Sequence, residues 1–386
     1  MFDQSRAITT MNLRNLIQRP GTSFVVIIGI AGVVAVLVGL LAMAAGFNAA
    51  LTTTAAPDRA IVLGHGSRNE MNSWLTNEEL NIMSQLEGLE VASGELYAVV
   101  DLTQRDSGEQ AYVVGRGITP AAYAVRPELT LVSGRFPQAG RSELLVGATA
   151  AREYLGLAIG DEVKLRDSVW QVVGHFDTGG TANESEVWMD LSLAKSVFRR
   201  NGVSTMRVRL SNANLMASVQ EQIAGDPRLN ISLVSEEEFY ASQAEARTSL
   251  IETFTYFIAS IMAVGAVIAA LNSMYVAVHS RKVEIATLRA LGFGQGPIIS
   301  SVMVEALFLS AIGGTAGAAL VYFGMNGYTT STLNGASNTQ VAFSFAVSPE
   351  LLALGLVNAL VLGLIGGFLP AIHAARAPIT SALLGK

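Results

Sequence analysis

Residues 271–305 read LNSMYVAVHSRKVEIATLRALGFGQGPIISSVMVE, a short charged segment caught between two long apolar runs. Ile285, Leu288 and Leu291 recur at helical spacing and make an apolar stripe, while Lys282 and Arg289, seven apart, share a different face. Gly292 and Gly294 are expected to end this helix, and Gly296-Pro297 to mark a turn before the next apolar run. The pattern predicts a short helix at a membrane surface, joining two membrane helices. Such a helix offers charges and side chains that a partner could grip, and can pass motion between a soluble motor and a membrane domain.

The flanking runs belong to a set of four. Apolar segments at 22–47, 251–280, 298–325 and 349–373 are each long enough to span a bilayer, which takes roughly 20 residues. The chain of 386 residues is 51% hydrophobic and 15% charged, with a mean hydropathy of +0.42, too apolar for an ordinary soluble protein. A cleaved signal peptide ending near Ala42-Met43-Ala44 is the alternative for the first segment. Signal h-regions run about 7–15 residues, and this segment is longer and follows a basic arm, so an uncleaved span is expected.

Charge sets the orientation. Arg6, Arg14 and Arg19 precede the first span, Arg281, Lys282 and Arg289 lie between the second and third, and Arg376 and Lys386 follow the fourth. The loop 326–348 has no Lys or Arg. The positive-inside rule then places the N-terminal segment 1–21, the segment 281–297 and the tail 374–386 in the cytoplasm. Residues 48–250 and 326–348 fall outside. In 1–21, Ile8, Met11, Leu13 and Leu16 among polar residues predict an interfacial helix over 5–18, with Pro20-Gly21 as its elbow.

Residues 48–250 have the composition of a soluble α+β domain, expected as two subdomains. Thr76 with Glu79 forms a capping-box pattern for a helix over 77–86. Alternating or β-branched runs predict strands at 59–63, 96–102, 111–114, 143–146, 162–165, 170–175 and 206–210, with helices at 148–154, 191–200 and 215–223. The acidic residues here read as a solvated surface, with Glu236-Glu237-Glu238 supplying negative charge at a helix N-terminus after Ser235 as N-cap. From Glu236 to Arg281 there is no Pro and the one Gly is Gly265. A continuous helix there would be roughly 70 Å long against a hydrocarbon core of about 30 Å, so a stalk would rise above the membrane. A break near 246–249 is the alternative.

Several chemistries are excluded or unsupported. Cys is absent, which removes disulfides and thiolate sites, and four scattered His form no metal spacing. No Ser/His/Asp triad or telling carboxylate dyad is evident, and no basic patch suits nucleic acid. Glu305, about two turns into the third run, is expected to pair with Arg289 or Arg281, a proton relay being the less favoured role. Gly313 and Gly317, with GxxxG spacing, and Gly363 and Gly367 on the fourth span are expected to allow close helix packing, within the subunit or between two copies. Trp74, Trp170 and Trp188 read as core or edge residues.

This layout resembles the permease subunits of MacB-type ABC transporters, the FtsX-like permease superfamily. Met11-Asn12-Leu13-Arg14-Asn15-Leu16 looks like the family's N-terminal helix, and Val283-Glu284-Ile285-Ala286-Thr287-Leu288-Arg289-Ala290-Leu291-Gly292 like its cytoplasmic coupling segment. Glu305-Ala306-Leu307 with Gly313-Gly314 looks like its third span, and Pro370-Ala371, Ala375-Arg376 and Pro378 like the end of its fourth. In the outer region, Ser133-Gly134-Arg135, Gly160-Asp161-Glu162-Val163 and Val172-Val173-Gly174 also follow its pattern. The resemblance implies a bacterial inner-membrane permease with an α-helical membrane domain of four helices. A large α+β periplasmic domain is inserted between the first two. It assigns ATPase coupling to Lys282, Glu284, Ile285, Leu288, Arg289, Leu291 and Gly292. It also implies two permease copies or paralogues, two cytoplasmic ABC ATPase subunits, and in some systems a periplasmic adaptor and outer-membrane channel.

MacB itself carries an N-terminal ATPase, but no GxxxxGK[ST] occurs here and no such domain fits before the first span. The expectation is therefore a non-catalytic chain that binds no cofactor, with ATP and Mg on a separate ATPase. A signalling role, in which the same motion activates a cell-wall hydrolase, is the alternative function. A membrane-anchored enzyme is a weaker third.

Overall fold

The computed structural model describes residues 20–53, 55–333 and 339–376, and divides into two compact units. The expected interfacial helix over 5–18 lies outside the described residues, as does most of the tail 374–386.

The membrane unit holds four helices long and apolar enough to cross a membrane: α1 (Pro20–Thr52), α7 (Glu236–Ser280), α9 (Gln295–Met325) and α10 (Pro349–Arg376). Their shared core starts from a one-sided row on α1, where Val26, Ile30, Val34, Val38 and Ala42 recur every fourth residue. Against it pack Ala270 and Met274 of α7, Val302 and Leu309 of α9, and Ala359 and Ala371 of α10. Lipid is as apolar as leucine, so small residues and close packing hold such helices together rather than hydrophobic burial. The other faces stay apolar and exposed, as a lipid solvent requires. On α7, Phe254, Phe257, Ile261, Val264 and Ile268 all point outward. In its most apolar stretch α7 is 22% buried and α1 44%, which makes α1 the central helix of the unit and α7 a peripheral one.

α7 is continuous over its 45 residues, as the proline-free stretch predicts, and the alternative break at 246–249 is absent. One expectation is corrected at a helix start. Gly296-Pro297 is not a turn: both lie in the first turn of α9, whose N-cap is Gly294. Proline is tolerated there because an N–H in the first turn has no acceptor within the helix.

The outer unit, Gly46–Ser249 with Thr329–Ser344, is built on one ten-stranded sheet in the order β10-β1-β9-β2-β3-β8-β5-β7-β4, with β6 beside β7. The strands are β1 (Arg59–Gly64), β2 (Leu89–Thr103), β3 (Gln110–Ile118), β4 (Thr130–Gly134), β5 (Glu143–Gly147), β6 (Glu162–Leu165), β7 (Ser168–Asp177), β8 (Val187–Asp190), β9 (Thr205–Leu210) and β10 (Ile231–Ser235). Between them lie α2 (Asn77–Met83), α3 (Ala121–Val125), α4 (Ala148–Glu153), α5 (Leu191–Val197) and α6 (Met216–Gly225). The predicted capping box is present at α2: Glu79 N–H donates to Thr76 Oγ1 at 3.2 Å, and Thr76 N–H to Glu79 Oε2 at 2.7 Å.

Strand β2 is fifteen residues long because it serves two halves. Leu89–Glu95 pairs with β9, and Leu96–Thr103 with β3. One core fills the first half, with Val62, Val208, Leu233, Met83 and Ile223. The other fills the second, with Val100, Val113, Val146, Trp170, Val172 and Ala194. The two cores are thus halves of one sheet joined by a shared strand.

The loop 326–348 contains a hairpin, β11 (Thr329–Leu333) and β12 (Gln340–Ser344). It docks onto the outer sheet: Ala342 N–H donates to Ser185 Oγ at 2.9 Å, and Tyr154 OH to Gln340 Oε1 at 2.9 Å. A polar strand such as TTSTL carries no apolar alternation, so nothing in its pattern marks it as a strand.

Candidate functional site: the coupling segment and two buried ionic clusters

The charged segment between the second and third spans is α8 (Lys282–Ala290). Arg281 caps its start with non-helical backbone, and Ile285 N–H donates to Arg281 O at 2.9 Å. At the other end Gly292 adopts φ +95°, the left-handed conformation that glycine reaches without a Cβ penalty. Phe293 N–H donates to Leu288 O and Gly292 N–H to Arg289 O, the paired bonds of a Schellman stop. Gly292 therefore ends the helix, and Gly294 opens the next.

The stripe divides. Ile285 and Leu288 turn inward and are half-buried, whereas Leu291 stands 72% exposed. Val283, not singled out from sequence, is also outward and exposed. Glu284 is exposed, and Lys282 and Arg289 are half-buried. The exposed apolar side chains of α8 are thus Val283 and Leu291, while Ile285 and Leu288 pack inward. Helical spacing alone could not decide this, because both faces of α8 carry apolar residues.

Beneath α8 lies a bidentate ion pair. Arg281 Nη1 donates to Glu305 Oε2 at 3.0 Å and Nη2 to Oε1 at 2.9 Å. The two side chains are 6% and 4% exposed. Of the two bases considered for Glu305, Arg281 is the partner. Ile285, Leu288, Ile298, Ser301 and Val302 line a cavity of about 20 Å³ beside the pair. The fork-to-fork geometry ties the corner between α7 and α8 to α9.

The packing glycines meet neighbours inside the unit. A Cβ on Gly313 would lie 2.8 Å from Ile27 O, and one on Gly317 2.4 Å from Ala31 O, so both back onto α1. Gly363 and Gly367 face α9, where a Cβ would come within 2.1 Å of Ser310 Oγ and 2.6 Å of Ala306 Cβ.

The outer unit holds a second ionic cluster. Arg116 donates to both oxygens of Glu186 at 2.7 Å, to Glu70 at 2.9 and 3.1 Å, and to Glu95 at 3.1 Å. Arg126 holds Glu95 at 2.7 and 2.8 Å, and Arg207 holds Glu236 at 2.9 Å and Tyr240 OH at 2.8 Å. Arg59 bridges Glu128 at 2.6 Å and Glu236 at 2.7 Å. Burial raises the pKa of Glu70, but the charges of Arg116 and Arg207 outweigh it and hold the carboxyl down at about 2. Burial opposes ionisation of Glu95 too, and Arg126, Arg116 and Arg207 reverse it, so its pKa also falls. Glu236 stands in the first turn of α7 after Ser235, as expected, but it is not solvated: it is 4% exposed and paired twice. Trp170 and Trp188 are core residues, and Trp74 is partly exposed beneath Arg200. Among the described residues no His, Asp and Glu group is arranged to hold a metal ion.

A four-helix membrane unit, a surface helix between its second and third spans, and a large α/β unit after the first together define an ABC permease architecture. The family model for the MacB-like periplasmic core domain matches residues 23–225, and that for the FtsX-like permease C-terminal region matches 256–379. The first covers more than half of the chain, which belongs to the MacB-like, FtsX-like ABC permease family.

It is similar to the macrolide export ATP-binding/permease protein MacB of Brucella abortus (strain 2308), 29% identical over 57% of this chain and 34% of that one. The match thus spans about a third of the length of that relative. An uncharacterized ABC transporter permease of Methanocaldococcus jannaschii is 23% identical over 60% of this chain and 58% of its own. The pyoverdine export ATP-binding/permease protein PvdT of Pseudomonas aeruginosa is 37% identical over 37% and 20%. Among solved structures, the periplasmic region of MacB from Actinobacillus actinomycetemcomitans aligns at a TM-score of 0.39 and 12% identity, over 48% of this chain and 92% of that one.

Proposed function

We propose that this chain is the permease subunit of an ABC transporter, relaying the ATP-driven motion of a separate cytoplasmic ATPase to a periplasmic domain for export or extraction of a substrate. The chain itself is then non-catalytic, and ATP and Mg are bound by the partner. Its termini and α8 face the cytoplasm, and it works beside a second permease copy or a paralogue. The export named for two relatives supports the same reading, to which a periplasmic adaptor and an outer-membrane channel would belong.

The observation that carries it is the build of α8. A short surface helix is stopped at both ends, offers Val283, Glu284 and Leu291 outward, and is clamped from below by Arg281–Glu305. A push on α8 is passed to α7, whose helix continues from Ser280 to Glu236, and to α9 through Glu305. Half-buried Arg289, in the last turn of α8, sits where an acidic partner surface would meet it.

The test is affinity purification of the tagged protein from mildly solubilised membranes, with ATPase assays on wild type and Arg289→Glu. A P-loop ATPase is expected to co-purify, and the substitution to release it or to uncouple its turnover. Purification of the intact protein without any ATPase would defeat the reading.

A further inference from the structure

A second cavity of the membrane unit lies at the charged end of α7 and α10, an open groove of about 820 Å³. Val278, Ile285 and Ala374 make an apolar floor, and Tyr275 and Val276 an exposed wall. The rim carries Lys282, Arg376, His279, His373 and the hydroxyl of Ser280. No carboxylate is among the described lining residues; Glu284 and Glu305 line the smaller cavity, which shares Val278 and Ile285 with this groove. Tyr275 and His373 meet edge to face at 5.7 Å, joining α7 to α10 across the groove. The groove is continuous with outward apolar side chains of the same helices, Val276 on α7 and Leu369 on α10.

We infer that this groove seats the headgroup of an anionic phospholipid, with one acyl chain running along Val276 and Leu369. Three observations select that occupant. Two fixed cations and two imidazoles share a groove whose described lining holds no carboxylate, which suits a phosphodiester. The apolar floor and wall suit a glycerol backbone and the top of an acyl chain. The position, at the end of two membrane helices, is where a lipid phosphate lies, and where juxtamembrane Lys and Arg attract acidic lipids. This occupant is independent of any ATPase contact on the outward face of α8.

Native mass spectrometry of the full chain in a detergent micelle tests it, titrating phosphatidylglycerol against phosphatidylcholine of the same acyl chains. Wild type is expected to take up phosphatidylglycerol preferentially. Each juxtamembrane cation contributes roughly a fivefold factor, so Lys282→Gln with Arg376→Gln should weaken that uptake by roughly 25-fold. The charge-preserving pair Lys282→Arg with Arg376→Lys should retain it, which separates loss of charge from misfolding. Equal uptake of the two lipids, or a preference that survives the Gln pair, would overturn the inference. So would displacement of the lipid by millimolar inorganic phosphate, since that describes a site for a free anion. Absence of lipid adducts together with protection of Lys282 by the ATPase would reassign the groove to the protein partner.

Discussion

Replacing Glu305 by Gln should loosen the membrane unit at one identifiable point. The carboxylate receives both terminal nitrogens of Arg281 at 2.9 and 3.0 Å, and neither side chain is more than 6% exposed. An amide keeps the shape and at most one of the two bonds, and leaves the guanidinium charge buried without a counter-charge. Removing one partner of a buried pair costs about 3–5 kcal/mol, whereas replacing both by apolar residues of similar volume is often neutral. The double replacement Arg281→Met with Glu305→Leu should therefore recover most of what Glu305→Gln loses. The chain has no cysteine, so Ala286→Cys places a single thiol on α8 at a site 3% exposed. Its labelling by a thiol reagent reports local opening, and 3–5 kcal/mol corresponds to roughly two to four orders of magnitude in the opening equilibrium. Labelling of the Glu305→Gln protein at the wild-type rate would refute the argument. So would a double variant that labels as fast as the single one, because the cost would then not be that of a lone buried charge.

Gly317→Val should cost about 1–3 kcal/mol or more, since even a Cβ would stand 2.4 Å from Ala31 O and the added methyls have nowhere to go; Gly324→Ala, with nothing within 4 Å, is the control, and thermal aggregation in one detergent compares them. The outer unit should lose stability in acid. Glu70 and Glu95 have folded pKa values below their ordinary value, so their contribution is fully present above about pH 4.5 and is lost in acid, for Glu70 as pH falls through about 2. Intrinsic fluorescence reads this directly because all three tryptophans lie in that unit, and Glu95→Gln should flatten the acid limb while lowering stability at neutral pH.

The spans were legible because twenty apolar residues in a row have few other uses, and α7 was legible as one helix because no proline interrupts it. The ends were harder. Proline near a helix start is compatible with a turn or with the first turn of the helix, and only the backbone around Pro297 separates the two. Position on α8 was ambiguous for a similar reason. Val283 and Ile285 differ by 200° around a helix, and which of them turns inward depends on α9, not on α8 itself.

The buried ionic cluster escaped sequence reading because a charged residue is expected in water and each member had a ready surface explanation. Glu236 opens an acidic run, and Arg207 and Arg209 share one face of β9 yet end differently: Arg207 is buried at 1% while Arg209 reaches the more exposed Glu90. One signal was present. Val114, Arg116 and Ile118 occupy one face of β3, so an arginine interrupts an apolar row where a solvated face would have carried polar neighbours. An arginine there must bring acids with it, because a lone buried guanidinium is too costly to persist. The acids Arg116 meets are Glu95 of β2, Glu186 just before β8 and Glu70 of the connection 65–76, none adjacent in sequence. Such a set adds little net stability compared with apolar packing. What it does fix is which segments meet: Glu236 and Tyr240, one turn apart, both bond Arg207, so α7 begins against β9 in a single rotational setting.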